Sequence, residues 1–121
     1  MVQAVIGHIE QMVLAAILAL DERAYGVTIH GEVGALAGKP VSLGSIYATL
    51  DRLEEKGLVE SWLSDPTPER GGRSKRHYRL RAAGSRALRE SVLASKRVCE
   101  AVDAAWGGLS ERGLKPARQT G

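Results

Sequence analysis

The order of apolar patterns along the chain constrains its fold more than any other feature of the sequence. Apolar residues recur at helical spacing in three successive segments, Ile9–Leu20, Ile29–Ala37 and Leu43–Leu53. Two shorter runs, Val59–Ser64 and Lys75–Leu80, have the pattern of strands. Helical spacing then returns from Ala82 to Trp106 without a proline. The sequence therefore predicts a mainly α-helical chain with one small β-hairpin.

The third predicted helix has defined ends and one polar flank. The Ser42 hydroxyl is placed to accept a hydrogen bond from an amide of the first turn, and Gly57 is expected to end the helix. Beside the apolar stripe, four residues share the polar flank: Ser42, Ser45, Thr49 and Arg52. Two helices joined by a short turn, the second of them polar on one flank, are typical of a helix-turn-helix unit.

Positive charge is concentrated in one short part of the chain. Residues 70–89 carry eight basic and no acidic side chains, whereas residues 1–69 carry four basic and ten acidic ones. The turn-forming loop Asp65–Gly72 joins the two predicted strands, and its returning limb brings four cations: Arg70, Arg73, Lys75 and Arg76. Such a patch attracts polyanions, although a merely solvated charged face is the alternative interpretation.

Three helices, a strand, a basic loop and a second strand form the layout of a winged helix-turn-helix domain. A third helix of this kind fits the major groove, and a basic hairpin can follow the neighbouring phosphates or the minor groove. Short polar side chains on that helix let its backbone approach the base edges. The sequence therefore predicts a winged helix-turn-helix domain over residues 1–81 that binds double-stranded DNA.

The last helix is predicted to hold two copies of the chain together. Its apolar residues form a loose heptad seam over 82–108, where Gly107 and Gly108 are expected to end the helix. The first helix carries more apolar surface than a small monomer readily buries. We therefore expect a homodimer, with residues 109–121 as a disordered tail. The predicted contact residues are Val13, Ile17, Leu88, Val92, Cys99, Val102 and Trp106.

Several segments resemble the PadR-like family of transcriptional regulators over roughly residues 6–88. The matching segments are Glu10–Leu14, Leu18–Leu20, Ala24–Gly26, Leu43–Val59 and Gly71–Leu80. The resemblance implies a dimeric regulator, usually a repressor, that binds an inverted-repeat operator and releases it on binding a small molecule. It also implies that Tyr25 and Tyr47 contact phosphates, while Ser42, Ser45 and Thr49 face the groove.

The chain departs from the family pattern at three positions. Arg81 stands where a threonine usually caps the last helix, and His77 replaces a common tyrosine. Some members that sense drugs stack a flat ligand on a tryptophan midway along the last helix, where this chain has Ala94. We therefore assign Trp106, about three turns later, to the dimer or to a cap contact.

Other classes of function find little support in the sequence. The three histidines and Cys99 have no spacing typical of a zinc site, and no phosphate-binding loop, nucleophile elbow or pair of carboxylates is recognisable. We therefore expect neither an enzyme nor a cofactor. The lone cysteine suits a reducing compartment, and the apolar run Val13–Leu20 is shorter than the roughly 20 residues that span a bilayer. These features favour the cytoplasm and no membrane partner.

The leading hypothesis is a sequence-specific repressor released from its operator by a small-molecule effector. Two alternatives stay open on the sequence. One is a winged-helix module that binds an acidic protein, for which the third helix need not reach a groove. The other is a DNA-binding repressor without a ligand.

Overall fold

The computed structural model describes residues 6–64, 74–111 and 113. It confirms a mainly helical chain with one hairpin and a long C-terminal helix. The elements are α1 (His8–Leu20), a 3₁₀ turn (Asp21–Arg23), α2 (Gly26–Ala37), α3 (Leu43–Glu55), β1 (Val59–Leu63), β2 (Arg76–Leu80) and α4 (Ala82–Glu111). Within the described part of the chain, none of these helices is long and apolar enough to cross a membrane.

The predicted ends of α3 are correct, whereas the predicted end of α4 is wrong. Ser42 caps α3, since its Oγ accepts from the Ser45 amide at 3.1 Å. Helix α4 continues through Gly107 and Gly108 to Glu111, so the first three residues of the predicted disordered tail are helical, and residues 112 and 114–121 of that tail lie outside the described residues. Glycine lowers helix propensity by about 1 kcal/mol but leaves the backbone hydrogen bonds possible. The left-handed backbone that closes a helix occurs later, at Gly113 (φ +74°), whose amide donates to the Ser110 carbonyl at 3.0 Å.

The core lies where α1, α2, α3 and the start of α4 meet. Its largest buried side chains come from the apolar stripes predicted for the first three helices: Val13, Leu14, Ile17, Ile29, Val33, Ile46, Leu50 and Leu53. Residues Val13 and Ile17 are at most 2% exposed, and Leu88 is also buried. Their assignment to a contact between subunits is therefore corrected, because this chain's own core covers them. Leu18 is the large apolar residue that α1 leaves exposed.

Helix α4 is fixed at its first turns and then extends away from the core. The Arg81 amide donates to the Leu58 carbonyl at 2.9 Å, and Gly84 lies directly against the same peptide. In α4 only Gly84, Ala87 and Leu88 are buried among the described residues. Farther along, Gln11 Nε2 donates to Ser95 Oγ at 3.2 Å, so α1 runs beside the middle of α4.

The hairpin is joined to the segment that precedes α2. Strands β1 and β2 pair antiparallel, with Val59 opposite Leu80 and Leu63 opposite Arg76. The Tyr78 side chain is buried against the core, and its amide donates to the Ala24 carbonyl at 2.9 Å. This bond fixes the base of the hairpin relative to α2 and α3. The loop between the strands, with Arg70 and Arg73, lies outside the described residues.

The turn after α1 contains a strained residue. Asp21 has φ +52° and ψ −116°, a region that residues with a side chain rarely adopt. We expect Asp21→Gly to raise the free energy of unfolding by about 0.5–1 kcal/mol, because relief of this strain exceeds the added chain entropy of glycine. Thermal unfolding at one protein concentration measures the gain. The control Asp21→Ala keeps the strain, and an equal gain in that variant would contradict the explanation.

An ion pair joins the start of α1 to the end of α3. Glu10 is almost fully buried, and its Oε2 lies 2.7 Å from Lys56 Nζ, while its Oε1 accepts from the Gly7 amide at 2.8 Å. Burial raises the pKa of Glu10, but the hydrogen bonds from Lys56 and Gly7 outweigh it and hold this pKa below its ordinary value of 4.5.

The lowered pKa of Glu10 predicts a loss of stability in acid. A carboxylate with a lowered folded-state pKa stabilises the fold above its unfolded pKa and ceases to do so as pH falls through the folded value. We expect Glu10→Gln to reduce the free energy of unfolding by about 1 kcal/mol at neutral pH. Urea titrations should show the two proteins converging as pH falls through the folded-state pKa of Glu10, which lies below its ordinary value of 4.5. An unchanged difference at low pH would exclude ionisation as its origin.

Candidate nucleic-acid interface

The polar flank of α3 is a chain of hydrogen bonds that runs from its N-cap to its third turn. Ser42 Oγ and Ser45 Oγ lie 2.7 Å apart. Thr49 Oγ1 donates to the Ser45 carbonyl at 2.7 Å, and Arg52 Nη2 donates to Thr49 Oγ1 at 3.1 Å. The structure therefore brings together the four residues predicted to share this flank, and hydrogen bonds link each of them to the next.

Thr49 does not face outwards, which corrects its predicted place in the groove. Its side chain is 1% exposed, because it follows Ile46 by three residues and precedes Leu53 by four, and both belong to the core stripe. Ser42, Ser45 and Arg52 are exposed. Gly44 and Ala48 lie opposite the core stripe and are exposed too, so the outward face of α3 is small over its first two turns, whereas the acidic Asp51 and Glu55 follow on the same face. Ala48 follows Gly44 by four residues in the sequence, and this helical spacing could have identified Ala48 as part of the outward face.

Tyr47 projects from the other flank of α3 onto the first turn of α2. Its hydroxyl lies so close to Gly26 that a Cβ on Gly26 would be 2.1 Å from Oη. Tyr47 as a whole is 43% exposed. Only glycine at position 26 permits this contact, which gives a physical reason for the Tyr25-Gly26 pair that resembled the family motif.

An open cavity of about 420 Å³ lies between the start of α2 and the base of the hairpin. Its lining residues are Tyr25, Gly26, Val27, Tyr47, Ser74, Lys75 and Arg76. Amides in the first turn of a helix have no partner within the helix, and this end of the helix dipole is positive. The side chains of Lys75 and Arg76 add positive charge to the cavity, and Tyr25 and Tyr47 add two hydroxyl groups. The cavity can therefore accept an anion such as a phosphate group.

A row of aromatic rings attaches the hairpin to the residue before α2. The His77 ring stacks on Trp62 with centroids 5.7 Å apart and meets the Tyr25 ring edge-on at 5.6 Å. Lys75 Nζ lies 4.3 Å from the Tyr25 centroid, and the Arg79 guanidinium lies over Trp62. His77 thus packs the base of the hairpin against Tyr25. Sequence reasoning missed this role, although the cross-strand pair of Trp62 and His77 is a direct consequence of the register.

The exposed side of α4 retains four of the residues predicted for the dimer. Val92, Cys99, Val102 and Trp106 are exposed on a single copy of the chain. Beside them, Leu18 and Leu93 line an open apolar groove of about 520 Å³, with Arg86 and Arg89 also lining it. Large exposed apolar patches of this kind mark interaction surfaces.

Metal-binding chemistry has no counterpart among the described residues. No group of three or more His, Cys, Asp and Glu side chains in residues 6–64, 74–111 and 113 is placed to hold a metal ion.

Comparison with known proteins identifies the family. The model of the PadR-like family of transcriptional regulators matches residues 13–90. An uncharacterized protein of Lysinibacillus sphaericus is 30% identical over 105 residues, which cover 85% of this chain and 92% of that protein.

Solved structures with the same fold include two members of this family. A PadR family regulator of Clostridium difficile R20291 has a TM-score of 0.65 at 22% identity, over 81% of this chain and 97% of its own. One from Eggerthella lenta has a TM-score of 0.57 at 26% identity, over 78% and 83% respectively. The family consists of transcriptional regulators and not of enzymes. With a family match over most of its length and a fold shared with solved members of the family, this chain belongs to the PadR-like family of transcriptional regulators.

Proposed function

We propose that the chain is a homodimeric repressor that binds an inverted-repeat DNA operator and leaves it when a small-molecule effector binds. The observation that carries this proposal is the position of Tyr47. Its ring connects the outward face of α3 with the cationic cavity at the base of the hairpin, so a groove-binding helix and a phosphate-binding site lie side by side.

In this proposal the outward face of α3 enters the major groove. Gly44 and Ala48 present little more than backbone there, which permits a close approach to the base edges. Ser45 and Arg52 lie on one flank of that face, and Ser42 caps the helix beside them.

Phosphates are contacted on the opposite flank of α3. Tyr47 and Tyr25 supply hydroxyl groups there, and Lys75 and Arg76 supply positive charge beside the amides of α2. Arg70 and Arg73 belong to the part of the loop outside the described residues, and we propose that they extend this contact along the DNA backbone.

The second copy of the chain covers the exposed side of α4. Val92, Cys99, Val102 and Trp106 are assigned to that contact, together with Leu18 and Leu93 in place of the buried Val13 and Ile17. Paired copies place two α3 helices on half-sites about one helical turn, roughly 10 bp, apart. An effector weakens DNA binding only if it prefers a dimer whose α3 helices do not fit the operator.

A mobility-shift assay tests DNA binding most simply. The purified protein is mixed with the DNA upstream of its own gene, with random duplex as competitor and with sedimentation run in parallel. We expect a retarded complex that resists the competitor and a sedimenting dimer. Binding that random duplex abolishes entirely, or none at all, would favour the module that binds an acidic protein. A complex that no small-molecule pool releases would favour a repressor without a ligand.

A further inference from the structure

Arg52 is held in place by a buried threonine. Its Nη2 donates to Thr49 Oγ1 at 3.1 Å, while the same Oγ1 donates its own proton to the Ser45 carbonyl at 2.7 Å. The polarity of both bonds is fixed, because an arginine side chain only donates and a backbone carbonyl only accepts. Thr49 therefore has no proton left for a base, and its burial keeps it away from one.

The guanidinium group of Arg52 is otherwise available. Among the described residues it takes part in no ion pair, and four of its five N–H donors are not used by Thr49. Glu10 interacts electrostatically with Arg52, but its oxygens are bonded to Lys56 and to the Gly7 amide, and neither Asp51 nor Glu55 on α3 forms an ion pair with Arg52. Arg52 is thus an exposed cation on the same flank as Ser45, and the bond to Thr49 holds one end of its guanidinium group.

We propose that Arg52 selects guanine in the major groove and that Thr49 is the positioning residue that aims it from inside the helix flank. This inference rests on the proposed function, in which α3 enters the groove. It assigns two different roles to residues that the sequence placed on one polar flank: Arg52 touches the base, and Thr49 acts through Arg52.

Guanine is the base whose major-groove edge matches a group that only donates. It presents two adjacent acceptors, N7 and O6, whereas adenine presents one acceptor beside a donor, and cytosine presents a donor. A guanidinium held at one end loses less freedom when it forms the two parallel bonds. A lysine cannot replace it, since an ammonium group lacks the planar fork.

Selection from a random pool tests both roles. The wild type and the variants Arg52→Ala, Thr49→Val and Thr49→Ser each select from duplexes with about 20 randomised base pairs, enough for two half-sites one helical turn apart. We expect the wild type to prefer guanine at one position of each half-site by about 5- to 100-fold. Arg52→Ala should lose that preference and keep the others. Thr49→Val should weaken it several-fold, and Thr49→Ser, which keeps the hydroxyl, should restore it.

A modified base separates a guanine contact from a phosphate contact. 7-Deazaguanine, which lacks the N7 acceptor, placed at that position should lower the affinity of the wild type toward that of Arg52→Ala and leave Arg52→Ala unchanged. The guanine assignment is overturned if Arg52→Ala weakens binding to all duplexes equally and retains every preference. The role of Thr49 is overturned if folded Thr49→Val selects guanine as sharply as the wild type. If the wild type enriches no sequence, the proposed function itself fails.

Discussion

Replacing Gly84 by alanine is expected to destabilise the fold by about 3 kcal/mol or more. A Cβ at this position would be 2.0 Å from the Leu58 carbonyl oxygen and 2.9 Å from its carbon. Both atoms belong to the backbone between α3 and β1, which also accepts the Arg81 amide, so neither side of the contact can turn away. Helix α4 would have to move off the core to make room.

Gly31→Ala is the matched control for Gly84→Ala. Gly31 is also inside a helix, but nothing lies within 4 Å of the position its Cβ would take. Alanine there should raise the free energy of unfolding by up to about 1 kcal/mol through helix propensity alone. Urea denaturation of the three proteins at one concentration measures the difference. If Gly84→Ala were as stable as the wild type, α4 would not be fixed at Leu58 as the structure shows.

Gly26→Ala is expected to weaken DNA binding about tenfold or more while leaving the protein folded. The new Cβ would lie 2.1 Å from Tyr47 Oη and 2.7 Å from Cζ. The partly exposed Tyr47 ring can swing outwards, so the clash costs less stability than at Gly84. The displaced hydroxyl then leaves the start of α2, and the proposed phosphate site loses one of its donors.

Fluorescence anisotropy with operator and with random duplex measures the effect of Gly26→Ala. Both DNAs should lose affinity by the same factor, because a phosphate contact carries no sequence information. Gly31→Ala, in the same helix, should bind like the wild type. Adding Gly26→Ala to Tyr47→Ala should cause little further loss, since both changes remove one contact. If the double variant lost the sum of the binding free energies that the two single variants lose, Gly26 and Tyr47 would act independently, which would contradict this explanation.

The helices and the hairpin could be predicted because their periodicity follows from burial on one side. Thr49 shows where residue type misled: a polar side chain suggested exposure, while its spacing from Ile46 and Leu53 placed it on the core stripe. Val13 and Ile17 show a different limit. An apolar side chain can be buried equally well in the core of its own chain or against the surface of a partner. The sequence pattern does not distinguish these two kinds of burial.

Other features depend on contacts between distant residues or on backbone angles. The place where α4 ends is set by the left-handed backbone at Gly113, and Gly107 and Gly108 look equally suitable in the sequence. The stack of Trp62 on His77 follows from the strand register, and the closeness of Tyr47 to Gly26 follows from the packing of α2 on α3. Most residues of the candidate site were therefore predictable from the sequence, whereas the burial of Thr49, the role of His77 and the internal hydrogen bonds were not.

Salt dependence measures most directly whether the cationic side of this domain holds the DNA backbone. A dimer offers eight cations to the phosphates, namely Arg70, Arg73, Lys75 and Arg76 of each copy. If four to six of them neutralise phosphates, a plot of log K against log salt should have a slope of about −4 to −5. Lys75→Gln, which removes one cavity cation from each copy, should make that slope less steep by about 2 and weaken binding to operator and random duplex alike. An affinity that does not change with salt would show that this surface does not meet DNA.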